Sequence, residues 1–228
     1  MDIRELSKIL GLKFKNEDLF NNAFVHKSYV NEHKESGWND NERLEFLGDA
    51  VLELVSTKHL FKNYSEQTEG EMTSFRSALV KGNHLAMIAR ELNLGEYLYL
   101  SNGEEHSGGR EKNYILANTL EALIGAIYLD QGYLKAENFI KKHILAKLDE
   151  IIEKGAHVDA KSRFQEICQE RELQTPHYEL VSEEGPDHNK NFTMGAYIGT
   201  ELISEGNGKS KQKAEEDAAK NALKIKGW

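Results

Sequence analysis

The chain has 228 residues, of which 39% are hydrophobic and 29% charged, with a formal net charge of −9. That length holds one large or two small domains, each able to bury a core. The longest apolar run, Ala122 to Leu129, is too short to cross a bilayer, and the lone Cys168 excludes an intramolecular disulfide and a cysteine-based zinc cluster. The start, Met1-Asp2-Ile3-Arg4-Glu5, lacks the basic and apolar character of a signal peptide, so no membrane association and a cytoplasmic location are expected.

In chain order, helical patterning covers Glu5–Leu10, Asn16–Phe24 and Asn41–Phe61. The third of these carries Glu42, Glu45 and Asp49 among Leu44, Phe46 and Leu47. Residues 45 and 49 share a helical face, with Glu42 one turn earlier. Carboxylates crowded on a half-buried face repel one another and desolvate poorly unless a cation joins them. A hard divalent ion suits such oxygen ligands. The plain alternative is a set of surface charges, with Arg43 as an ion-pair partner.

Further helices are expected over Glu71–Leu92, Tyr114–Asp130 and Leu134–Glu153, separated by glycines and polar pairs such as Gln131-Gly132. Within the second, Asn118 and Glu121 stand three apart in an otherwise apolar stretch and share a face. Two helices that each offer a pair of oxygen ligands can clamp one or two metal ions, an arrangement suited to phosphoryl chemistry.

The texture changes after a short linker, Glu153–Val158, and both prolines, Pro176 and Pro186, lie beyond it. A helix over Ala160–Leu173 is followed by strands at His177–Ser182, Asn191–Ile198 and Glu201–Glu205. Gly206-Asn207-Gly208 then turns the chain into a helix from Lys209 to Lys224, with Ala214, Ala218, Ala219, Ala222 and Leu223 as its packing stripe. The order α-β-β-β-α describes a compact two-layer domain. Lys209, Lys211 and Lys213 gather at the start of the last helix, where backbone amides and the helix dipole also favour phosphate. Lysines placed there for solubility are the competing reading. The acidic total charge argues against nucleic acid at first sight, but acids gathered at a metal site leave room for a local basic patch.

These motifs together resemble bacterial ribonuclease III over essentially the whole chain. Asn41–Ala50 resembles the family's signature run, and Ile115–Asp130 its second catalytic segment. Glu69-Gly70-Glu71-Met72-Thr73 and Leu79-Val80-Lys81-Gly82-Asn83 resemble the region between. The stretch from 158 onward, with Gly185-Pro186-x-His188 and Ser210-Lys211-x-x-Ala214-Glu215, resembles a double-stranded RNA-binding domain. The resemblance implies an all-helical, dimerising nuclease domain over 1–153 and an α-β-β-β-α duplex-binding domain over 158–228. It implies hydrolysis of double-stranded RNA with Mg²⁺, or Mn²⁺ in its place, to 5′-phosphate and 3′-hydroxyl ends with a short 3′ overhang. Ribosomal RNA precursors and structured messenger RNAs are the substrates it implies.

Carried over by position, Glu45, Asn118 and Glu121 are implied as metal ligands. Asp49 would bind or orient the attacking water, and Glu121 is also implied in the chemical step. Glu42 and Glu69 match further acids of the catalytic valley. Phe46 matches an aromatic at the subunit contact, with core packing as its other reading. Gln165 and Glu166 match minor-groove contacts, and His188 a loop that enters the next minor groove. Lys209, Lys211 and Lys213 would hold phosphates across the major groove, in a footprint of roughly 16 base pairs. The chain departs from the family at Asn118, where aspartate is usual, and at Gln212, where a basic residue is common. Asn118 leaves three readings: a variant that works, a deliberate substitution, or an impaired enzyme that binds duplex RNA without cutting it.

Overall fold

The computed structural model describes residues 3–153, 155, 159–186 and 189–228. The chain divides into two compact units, Met1–His157 and Val158–Trp228. Among the described residues no helix is long and apolar enough to cross a membrane.

The first unit is helical: α1 (Ile3–Ile9), α2 (Glu17–Asn22), α3 (Lys27–Glu32), α4 (Glu42–Asn63), α5 (Glu69–Val80), α6 (Gly82–Glu91), α7 (Asn102–His106), α8 (Asn113–Gln131), α9 (Tyr133–His143) and α10 (Leu148–Glu153). Helix α8 is buried nearly all round, from Ile115 to Ile127, as its apolar composition requires. Its most extensive partner is α4, which buries Leu44, Val51, Leu52 and Val55. The two backbones meet at glycines. A Cβ on Gly48 would overlap the Glu121 carbonyl oxygen, and one on Gly125 would overlap that of Leu44. The start of α4 is fixed by Asn41, which is buried; its Nδ2 donates to the Ala23 carbonyl (3.1 Å) and its backbone N–H to that of Val25 (2.9 Å).

Two expected helices are each divided. The stretch 71–92 forms α5 and α6 because Lys81 adopts an extended conformation (φ −61°, ψ 130°) ahead of Gly82. Helix α5 also begins two residues earlier than expected, where Thr68 and Glu71 form a reciprocal capping box. The stretch 134–153 breaks after Ile144 and continues through a 3₁₀ turn into α10. The short α3 and α7 carry no patterning that sequence reasoning detected. Helix α3 is capped by His26 and α7 by Ser101.

The second unit runs α11 (Ala160–Glu172), β1 (His177–Glu184), β2 (Asn191–Ile198), β3 (Glu201–Gly208) and α12 (Lys211–Lys226). Its strands form an antiparallel sheet in the order β1-β2-β3. The expected α-β-β-β-α layout is present. Strands β1 and β3 are longer than expected: Gly206-Asn207-Gly208 continues β3, pairing with Met194, Thr193 and Phe192, so it does not form a turn. The last helix begins at Lys211, two residues later than expected, because Ser210 serves as its N-cap and accepts from the Lys213 N–H. The expected stripe Ala214, Ala218, Ala219, Ala222 and Leu223 is buried. It packs with Phe164 and Cys168 of α11 and Ala196, Ile198 and Ile203 of the sheet.

Candidate nuclease site and duplex-binding face

The Gly48–Gly125 contact places the second acidic turn of α4 beside the middle of α8, and so brings Glu45, Asp49, Asn118 and Glu121 into one electrostatic neighbourhood. The carboxyl of Glu121 is pushed up to about 8, chiefly by burial and then by the charges of Asp49 and Glu45. Glu45 is also raised, by burial and by Glu42, Asp49 and Asp40, while a hydrogen bond from the Asn118 amide acts in the opposite direction. Among the described residues no cationic side chain contributes to either shift. The site is therefore a patch of like charge that helix packing holds together.

Glu42 lies outside that patch in one respect. Its carboxylate accepts from Lys27 Nζ at 2.8 Å, an exposed pair that spacing did not reveal because the partners are fifteen positions apart. Arg43, the partner weighed from sequence, makes no ion pair among the described residues. Glu69, at the start of α5, is exposed and accepts from Thr73 Oγ1 at 3.0 Å. The structure does not tie it to the electrostatics of Glu45 and Glu121. Phe46 is 80% exposed, which rules out the core-packing reading.

Among the described residues, no three His, Cys, Asp or Glu side chains converge as a closed metal cage would. The donor set nevertheless fits a hard divalent ion. Mg²⁺ keeps several waters and needs only one or two carboxylates from the protein. A half-buried carboxyl whose charged neighbours are all acids is the environment that a cation would relieve.

In the second unit Gln165 and Glu166 lie exposed on α11, and Lys209, Lys211 and Lys213 lie exposed around the start of α12. Lys209 Nζ donates to Asn189 Oδ1 (3.0 Å), which links the helix start to the β1–β2 loop. His188 falls outside the described residues.

A helical unit with an acid-bearing helix pair, joined to a helix–sheet–helix unit with a lysine-rich helix start, is the make-up of an endoribonuclease directed at double-stranded RNA. The comparisons agree. Residues 16–148 match the family described as Ribonuclease-III-like, and residues 160–226 match the double-stranded RNA binding motif. The chain is 45% identical over 223 residues to Ribonuclease 3 of Oceanobacillus iheyensis, covering 98% of this chain and 97% of that protein. It is 46% identical to Ribonuclease 3 of Borreliella burgdorferi, covering 97% and 91%. Its helical unit is similar to the solved nuclease domain of ribonuclease III from Campylobacter jejuni, at 41% identity and a TM-score of 0.58, covering 63% of this chain and 96% of that one. The chain belongs to the ribonuclease III family.

Proposed function

We propose that this endoribonuclease is divalent-metal-dependent and cuts double-stranded RNA to 5′-phosphate and 3′-hydroxyl ends, in the maturation of ribosomal and messenger RNA in the cytoplasm. Residues 1–153 form its nuclease domain and 158–228 its duplex-binding domain. The observation that carries this reading is Glu121, whose half-buried carboxyl has only Asp49 and Glu45 as charged neighbours among the described residues. Glu45, Glu121 and the Asn118 side-chain oxygen would hold Mg²⁺ or Mn²⁺, which supplies water activation and charge neutralisation at the phosphorus when bound. To serve as a ligand, the Asn118 amide group must turn its oxygen toward the acids in place of the donor it now gives Glu45. Burial and the charges of Asp49 and Glu45 hold the Glu121 carboxyl up at about 8, and a bound cation would favour its charged form. Exposed Asp49 orients the attacking water, and Glu42 and Glu69 line the valley beside it.

A homodimer gives each strand its own set of acids. Phe46, Leu54 and Phe61, which are 80%, 57% and 73% exposed on α4, support such a contact, because apolar surface of this extent on one helix favours burial. The nuclease domain of the Campylobacter jejuni relative is described as having a region involved in dimer formation. In the second domain Gln165, Glu166 and His188 face the minor grooves, while Lys209, Lys211 and Lys213 hold phosphates.

Asn118 gives one specific reason for a second reading, a duplex binder with impaired turnover: the position brings no negative charge to the site. Cleavage of a long RNA duplex across a Mg²⁺ and Mn²⁺ series separates the two. The unchanged chain is expected to cut, Glu121→Ala to lose at least about a hundredfold in rate, and Asn118→Asp to need less metal for half-maximal rate. Cleavage by Asn118→Asp alone would establish the second reading, and full activity in Glu121→Ala would overturn the site.

A further inference from the structure

A groove of about 400 Å³ opens in the helical unit between α2 and the segment that precedes α4. Its walls include Trp38, Asp18 and four asparagines, Asn16, Asn21, Asn22 and Asn39. Trp38 is held before any ligand arrives. Its ring meets Tyr99 edge-on at 4.7 Å and 88°, and Tyr29 lies 5.9 Å away. Its backbone N–H donates to Ser36 Oγ at 3.3 Å, after a left-handed turn at Gly37 (φ +70°). Even so, 38% of Trp38 remains exposed.

The asparagines divide into two that are engaged and two that are not. Asn22 Nδ2 donates to the Asp40 carbonyl (3.1 Å), and Asn16 Oδ1 caps α2 by accepting from the Asp18 N–H (3.0 Å). The side-chain amides of Asn21 and Asn39 have no hydrogen-bond partner among the described residues. Among the described residues no lysine or arginine lines the groove, and its one charge is the Asp18 carboxylate. That chemistry disfavours phosphate. A fixed aromatic face with neutral amides around it is how proteins hold an unpaired base, by stacking and by hydrogen bonds to its edge. The volume lies within the range of small-ligand sites. Asp40 links the groove to the start of the acid-bearing helix: Asn22 Nδ2 donates to the Asp40 backbone carbonyl, and the Asp40 side chain accepts from the Glu42 N–H (3.2 Å).

We infer that this groove receives an unpaired nucleobase of the RNA near the cut, so that bulged or looped-out positions help to select where the duplex is cleaved. This rests on the duplex-RNA nuclease reading above. Trp38 provides the stacking face, and Asn21 and Asn39 read the edge of the base.

Two measurements test it on the full chain. With Trp228→Phe, Trp38 is the remaining tryptophan, and its emission is followed without added metal. A fully paired duplex is compared with duplexes carrying one unpaired adenine at different distances from the cut. A bulged duplex is expected to quench Trp38 and the paired duplex to leave it nearly unchanged. In cleavage, the preference for the best bulged duplex over the paired one, as a ratio of kcat/KM, is expected to fall about tenfold in Trp38→Ala. The fall in Asn39→Ala is expected to be about threefold. Trp38→Phe, which keeps a stacking ring, retains most of the preference and guards against a folding defect. Equal emission with bulged and paired duplexes, together with an unchanged ratio in Trp38→Ala and Asn39→Ala, would overturn the inference. If the unchanged chain cuts no duplex at all, the nuclease reading has failed, and Trp38 emission still decides the groove.

Discussion

In the helical domain α4 and α8 touch through Gly48 and Gly125, and in the second domain β3 and α12 touch where a Cβ on Gly206 would overlap the Ala218 backbone nitrogen. Both domains thus bring two elements together backbone to backbone, but the charges attached to those elements fare differently. Around Gly48 the packing holds Glu45 and Glu121, both half-buried, in mutual repulsion and under the charge of exposed Asp49. Around Gly206 the charges at the start of α12 stay in water, and a charge that is drawn in finds a partner, as Glu215 does with Lys161 at 2.6 Å. The first domain stores unfavourable electrostatics for a cation to relieve. The second displays favourable electrostatics for a polyanion to neutralise.

The strongest way to break this comparison is to block each close approach in turn. Gly48→Ala should destabilise the helical domain by about 3 kcal/mol or more, because the new methyl meets backbone that cannot step aside, and cleavage should be lost with it. Gly206→Ala should do comparable harm to the second domain while the helical domain keeps its fold. Thermal unfolding followed by domain-specific NMR signals checks both, and a melting temperature unchanged in either variant would contradict the account for that domain.

The second way is pH. Glu121 takes up its proton at about 8 in the folded chain against an ordinary 4.5, so between those values the native state binds more protons than the unfolded state. Stability contributed by this group is full below 4.5 and is lost as pH rises through about 8. Urea unfolding of Glu121→Gln should show a shallower decline across that window than the unchanged chain, and added Mg²⁺ should flatten the decline in the unchanged chain. An identical slope in both proteins would mean that the acids do not strain the fold.

The smallest effect is expected in the second domain. Lys211→Ala should weaken duplex binding by a similar factor for every sequence and reduce the log–log salt slope by about 1. It should leave the stability of both domains within about 0.5 kcal/mol. A steep, sequence-dependent loss would show that this lysine reads more than phosphate.

Much of the fold was legible where local pattern and tertiary packing agree. The apolar run around Glu121 and the alanine stripe of α12 are buried as their spacing requires. The grouping of Glu45, Asp49, Asn118 and Glu121 followed from two helical faces. What was not legible depends on contacts distant in sequence or on single backbone angles. The apolar periodicity of 71–92 runs through Lys81, so only the ψ angle there, with Gly82 as a weak signal, separates α5 from α6. Nothing near Ile144 marks the break before α10. Lys27 could not be matched to Glu42 from spacing, nor the Trp38 groove foreseen, since its walls come from either side of α3.

Asn41 gives the chain a freedom that its packing would not suggest. Its two hydrogen bonds to the Ala23 and Val25 carbonyls clamp the start of α4 from the far side of α3, and Asp40 accepts from the Glu42 N–H, so the rotational phase of the acids is set by contacts outside the segment from His33 to Asn39. Changes of length in an exposed connection cost little, since loop-closure entropy grows slowly with loop size. That segment carries Trp38, so it can be lengthened, shortened or rewritten to accept different RNAs while Glu45 and Asp49 stay where they are. Substrate choice and cleavage chemistry can therefore evolve separately within one domain.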